Sequence, residues 1–160
     1  ALTLDSEERP ELATHGESWL VAIDGSAHSQ QALSEAMRLA KDSSPARLEL
    51  IYAHAWLSTE AAETHLADFG WTAAAEACAI LDANGVAWRL HVHMGEPAHS
   101  IVTLAKSLNS RGIVIGARGL STTEGLLLGS VAQQVLHAAQ GPVLVVRTPM
   151  QTRIGKQGAQ

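Results

Sequence analysis

The stretch GARGLSTTEGLLLGS, residues 116–130, holds the residue types best suited to chemistry. Gly116, Gly119, Gly125 and the pair Gly129-Ser130 fall between an apolar run, GIVIG, and a segment of helical period. Glycines let main-chain N–H groups approach an anion closely, and a helix that begins at Ser130 offers its unpaired amides and the positive end of its dipole. Phosphate is the guest such a bend suits. Two plainer alternatives stand beside it: Gly116 and Gly119 only turn the chain, and Gly129-Ser130 only starts a helix. The stretch lacks the GK[ST] ending of a Walker loop and does not match GxGxxG. Arg118, within it, would either grip phosphate in a forked contact or stand in solvent.

Other candidates are fewer. Asp24 ends the apolar run WLVAID, where a carboxylate can accept hydrogen bonds from a ligand's hydroxyls or cap the helix that follows. His91 and His93 alternate on one face of a strand, but two imidazoles hold a metal only with further ligands and the spacing shows no carboxylate partner; a polar strand face is the plainer reading. His54 would wall a ligand pocket or pack within its strand. Cys78 falls in a long helical segment and reads as a passive helix residue rather than a redox thiol. No GxSxG, no HExxH and no paired-aspartate motif occurs, and nothing obvious would activate water, so any hydrolysis should be slow.

Positioning these residues takes a layered fold. The runs WLVAID (19–24), ARLELIYAHA (46–55), VAWRLHVHM (86–94), GIVIG (112–116) and PVLVV (142–146) predict five strands. Between them lie segments of helical period. Leu33, Met37 and Ala40 form one stripe, with Ser26 or Ser29 as N-cap. Leu66, Phe69, Ala73, Ala77, Ile80 and Leu81 form another over 58–84, stopped at Asn84-Gly85. Pro97 opens a third helix with Ile101, Leu104, Ala105 and Leu108 inward, and a fourth runs from Ser130 to about Ala139, ended by Gly141-Pro142. The order βαβαβαβαβ with right-handed crossovers predicts an α/β, doubly wound, five-stranded parallel sheet with helices on both faces. Ligands in such sheets sit beyond the strand carboxyl ends, where Asp24, His54 and Gly116 fall.

Composition sets the outer bounds. The chain's 160 residues fit one domain, and 46% hydrophobic with 17% charged residues is too apolar for a disordered chain. A net charge of −5 argues against nucleic acid as partner. Residues 1–18 carry Asp5, Glu7, Glu8, Glu11 and Glu17 against Arg9, a net of −4, and match neither strand nor helix period; 148–160 is a polar tail. One cysteine permits no intrachain disulfide, and no stretch reaches the roughly 20 apolar residues of a membrane span. The expectation is a soluble, cytoplasmic protein with no membrane partner.

Gly116, Gly119, Gly129 and Ser130 also fit the pattern G, two residues, G, nine residues, G-[S/T], which resembles the ATP-binding signature of the universal stress protein family. LVAIDGSAHSQQAL, HAW, HVHMGEPAHSIVTLA and GLLLGSVAQQVLHAAQGPVLVVR resemble that family's remaining elements, so the likeness covers 19–147, with 1–18 as an acidic extension. It implies the strand order 3-2-1-4-5 and a site for ATP, with AMP or ADP as alternatives and Mg2+ accompanying. Ala22 and Asp24 would belong to that site, Asp24 at the ribose and adenine, and Ala55 would meet the adenine through its backbone. Gly116, Ala117, Arg118, Gly119, Leu120 and Ser121, with Gly129, Ser130 and Val131, would wrap the triphosphate. A homodimer through the last strand, Val143 to Val146, and an unidentified protein partner are implied as well. One departure matters: Glu124 stands where many members carry a basic residue. A carboxylate ~6 Å from a phosphate, at an effective ε near 20, costs about 2 to 3 kcal/mol per charge pair. The rival expectation is a dimeric interaction protein that binds no nucleotide, or a slow ATPase.

Overall fold

Each element begins and ends where local chemistry requires it. The structure, a computed structural model, describes residues 2–5, 18–42, 46–54, 59–119 and 128–147. Its strands are β1 (Leu2–Asp5), β2 (Trp19–Ala22), β3 (Arg47–His54), β4 (Ala87–Met94), β5 (Gly112–Gly116) and β6 (Val143–Val146). Its helices are α1 (Ala27–Ala40), α2 (Thr59–Ala83), α3 (Pro97–Ser107) and α4 (Ser130–Ala138). Gly25, at φ +82°, makes the turn out of β2 that residues with a Cβ rarely adopt, and Ser26 then caps α1 by accepting from the Ser29 amide. Glu96 caps α3 the same way, taking the Ala98 and His99 amides with Pro97 at the first helical position. Asn84 bonds back to the Ile80 carbonyl, and Gly85 at φ +67° turns the chain out of α2.

The sheet runs β1-β4-β3-β2-β5-β6. β2 to β6 are mutually parallel, in the order the sequence leads one to expect. β1 corrects the reading of 1–18 as lacking strand character: it pairs antiparallel with β4, Thr3 opposite His91 and Leu4 opposite Leu90. Four residues are too few to register as a period, and their partner lies over 80 residues away in sequence.

Two apolar layers sandwich the sheet. Leu33, Ala36, Ala74, Cys78 and Leu81 of α1 and α2 meet Val21, Leu48, Leu50, Leu90 and Val114 on one face. Ile101 and Leu104 of α3 and Ala132 and Val135 of α4 meet Leu20, Ile51, Ile113 and Ile115 on the other. Full burial of a leucine stabilises by roughly 1.5 to 3 kcal/mol. The α2 stripe lies slightly off the expected one. Ala74, Ala77, Cys78 and Leu81 are its buried members, Ala73 and Ile80 only half-buried, while the side chains of Leu66 and Phe69 lie outside the described residues. β5 is buried throughout, whereas Val143, Leu144 and Val145 of the edge strand β6 are half-buried. Among the described residues no helix is long and apolar enough to cross a membrane.

Cys78 sits inside the first layer, 1% exposed, and burial, with the Asp82 charge second, pushes its thiol up to about 12. Only the thiolate reacts, so a thiol reagent at pH 8 should label Cys78 at the unfolding rate rather than at the rate of a free thiol. Rapid stoichiometric labelling of the folded protein would contradict the placement.

Candidate functional site

The strand order reverses between β2 and β5, because the chain leaves β2 toward β3 on one side and returns to β5 on the other. Beyond their carboxyl ends lies a cavity of about 480 Å³. Ala22 and Asp24 reach it from the end of β2, His54 from β3, Pro97 and Ile101 from α3, Gly116, Ala117, Arg118 and Gly119 from β5, and Gly129, Ser130 and Val131 from the start of α4. The structure therefore brings nine of the residues singled out in the sequence to one wall-to-wall space: Ala22, Asp24, Gly116, Ala117, Arg118, Gly119, Gly129, Ser130 and Val131. Ala55, Leu120, Ser121 and Glu124 lie outside the described residues.

Asp24 is not the cap of α1, which is Ser26, but it supports that cap from the preceding turn. Its Oδ1 accepts the Ser26 amide at 2.8 Å, bracing the turn into α1, and its side chain also lines the cavity. Gly119 comes so close that a Cβ there would stand 2.6 Å from Asp24 Oδ2. Tyr52, from β3, also lines the space, edge-on to the His54 ring at 6.0 Å. Burial, and then the Asp24 charge, holds the Tyr52 phenol above its ordinary range, so it stays a neutral hydrogen-bonding group.

The main-chain amides divide into two sets. Ala117 N–H donates to the Val146 carbonyl at 2.8 Å and Gly129 N–H to the Ala117 carbonyl at 2.6 Å, so the fold itself uses both. The first-turn amides of α4, at Ser130, Val131 and Ala132, have no carbonyl behind them in their own helix, and these face the cavity end of the sheet. Gly116 also has a structural reason to be glycine: a Cβ there would meet the His28 carbonyl carbon and oxygen of α1 at 2.7 and 2.8 Å. What the cavity offers chemically is the Asp24 carboxyl group, the N-terminus of α4 and an arginine, Arg118, among its lining residues.

The histidine pair has an unforeseen partner. His91 Nε2 lies 2.7 Å from Glu49 Oε2, both side chains being buried. Arg47 Nε stands 3.7 Å from the other Glu49 oxygen, and Thr3 Oγ1 3.4 Å from His91 Nδ1. Ile51, not Glu49, is the direct register partner of His91, so Glu49 reaches it diagonally across β3 and β4. An acid inside the apolar run LELIYAH, on a strand next to one bearing two histidines, was the available signal. The His93 imidazole is held below its ordinary range by burial first and by the neighbouring His91 second. Among the described residues no group of three His, Cys, Asp or Glu is placed to hold a metal.

A doubly wound α/β domain with a cleft at its switch point is the class of protein that the fold defines. The universal stress protein family model matches residues 18–147, and the chain belongs to that family. It is 33% identical over 144 residues to the universal stress protein YxiE of Bacillus subtilis, an alignment covering 80% of this chain and 97% of YxiE. With the universal stress protein Rv2005c of Mycobacterium tuberculosis it shares 35% over 137 residues; there the alignment spans 80% of this chain but 44% of the relative. A universal stress protein crystallised in complex with cAMP superposes with a TM-score of 0.62 at 31% identity, over 83% of this chain and 98% of its own.

Proposed function

We propose that this protein binds an adenine nucleotide in the cleft between β2 and β5, and that occupancy biases a surface read by a protein partner in a stress response. One observation carries the reading: Asp24, the first turn of α4 and Arg118 line one cavity of about 480 Å³ at the switch point of the sheet. That set of groups suits a nucleotide whose hydroxyls would meet a carboxylate and whose phosphates would meet amides and a guanidinium. The related universal stress protein in complex with cAMP supports the same chemistry. ATP is the nucleotide of choice, with ADP or AMP as alternatives. Mg2+ would arrive on the phosphates, as it does where no all-protein cage is built. Ala55, Leu120 and Ser121 would complete the site, and the compartment is the cytoplasm.

Equilibrium dialysis with labelled ATP and magnesium tests it, parent against Gly119→Val. The valine Cβ would press on Asp24 Oδ2, the far end of a short side chain, so it displaces the carboxylate rather than any backbone. Binding by the parent and at least tenfold weaker binding by the variant is the expected pair of results, about 1.4 kcal/mol or more of site free energy. No binding by the parent, or equal binding by both, overturns the reading.

A second reading, an interaction protein that binds no nucleotide, draws on the amides already used at Ala117 and Gly129 and on the packing reason for Gly116. A silent dialysis would select it, whereas phosphate released on long incubation would instead point to a slow ATPase. In either case the β6 edge, with Val143, Leu144 and Val145 half-buried, is the proposed homodimer surface. Light scattering should give twice the 16.9 kDa chain mass at micromolar concentration, and a monomer there would remove the dimer.

A further inference from the structure

β1 lies outside the family segment, which begins at residue 18, yet it is built into the sheet in a definite register. Its four residues cover Arg89–Val92, half of the eight-residue β4, and thereby part of the edge that would close the sheet on that side. Side chains fix it there. Leu4 is partly buried against the layer beneath α1 and α2, and Thr3 Oγ1 reaches Nδ1 of the buried His91, whose far nitrogen holds Glu49. Asp5 takes the register position opposite Arg89. A shift by one residue would turn Leu4 outward and Thr3 into the apolar layer.

We infer that Leu2–Asp5 is an end cap, and that the β4 edge beneath it is a pairing surface for a second copy of this chain. A bare edge offers a row of unpaired N–H and C=O groups to any extended strand. β4 is long for an edge strand and alternates Trp88, Leu90 and Val92 with polar residues, and a two-fold axis would pair it antiparallel with itself. β1 and β6 lie at opposite edges of the sheet. Association at both edges would build an open string of copies rather than a closed pair. With β1 in place, the edge on that side is a strand of only four residues, too short to template a long pairing, and growth is left to the β6 edge. The final number of copies rests on the β6 pairing proposed above; the capping itself does not.

The test uses the full chain with Thr3→Pro/Leu4→Pro. Successive amides of an edge strand point alternately toward and away from the sheet, so one of the two prolines removes a ladder bond whichever residue supplies it. Light scattering should show the variant's average mass at least doubled relative to the parent's. A peptide of sequence Ala-Leu-Thr-Leu-Asp-Ser, added in excess, should return it to the parent value. Hydrogen exchange over Arg89–Val92 should be faster in the dilute variant and slow down as concentration rises. Leu4→Asp, which removes the packing without touching the ladder, serves if the double proline fails to fold by circular dichroism. Faster exchange at Arg89–Val92 with unchanged mass overturns the pairing surface, and unchanged exchange there overturns the cap. Because the parent's own mass reports β6 alone, failure of the dimer and failure of the cap give different results.

Discussion

Gly116→Val should lower the unfolding free energy by about 3 kcal/mol, near the top of the usual cost of overfilling a packed site. A Cβ at residue 116 would lie 2.7 to 2.8 Å from three atoms of His28, two of them backbone, well inside any normal contact. Those backbone atoms belong to the first turn of α1 and cannot swing aside. Relief requires α1 to lift from β5 or the end of β5 to bend, and bending would strain the 2.8 Å bond from Ala117 N–H to the Val146 carbonyl that follows. The melting temperature should fall by roughly 10 °C for a domain of this size. Urea unfolding gives the number directly. A Gly116→Val protein within ~0.5 kcal/mol of the parent would mean that α1 does not press on β5 as described. Gly119→Val makes a sharp comparison, since its crowding falls on the movable Asp24 carboxylate and its penalty should be felt in ligand affinity instead.

The contrast between these two glycines shows what sequence can and cannot convey. Their spacing marks a bend after a buried strand, and the bend is where the cavity lies. Spacing is silent on why each lacks a side chain. Gly116 is glycine at least because a helix backbone passes over it, while Gly119 is glycine where a carboxylate approaches. Gly129 has an ordinary extended conformation at φ −70° and spends its amide on Ala117, so its place in the motif follows from neither positive φ nor an open donor.

The parallel strands and four helices were legible because each repeats its burial pattern over several turns or pleats: the run GIVIG is β5 to the residue, and Ser26, Pro97 and Gly85 mark their helix ends as the chemistry of caps requires. Two features escaped. β1 draws its existence from β4, a distant segment, and carries no local period of its own. Glu49, the carboxylate partner that spacing did not reveal for His91, meets it only because β3 and β4 lie side by side. In both cases the information lies in a pairing between strands, which no window along the chain contains.

That pairing carries the second large expected effect. His91→Leu should destabilise the protein by about 3 kcal/mol, because it removes the imidazole 2.7 Å from a Glu49 carboxylate that is only 5% exposed, with Arg47 Nε at a longer 3.7 Å from its other oxygen. Glu49→Leu strands His91 less severely, since a neutral imidazole can still bond through Nδ1 to Thr3, and about 1 to 2 kcal/mol is expected. The double variant replaces both polar groups by side chains that suit the adjoining Ile51 layer, while Arg47, with 27% of its side chain exposed, can turn toward water. Its stability should return to within about 1 kcal/mol of the parent, a coupling of roughly 3 kcal/mol or more between the two sites. Four urea curves complete the cycle. If the two single penalties simply add in the double variant, the pair is not coupled. The 2.7 Å contact would then hold the two groups side by side without either one depending on the other for its burial.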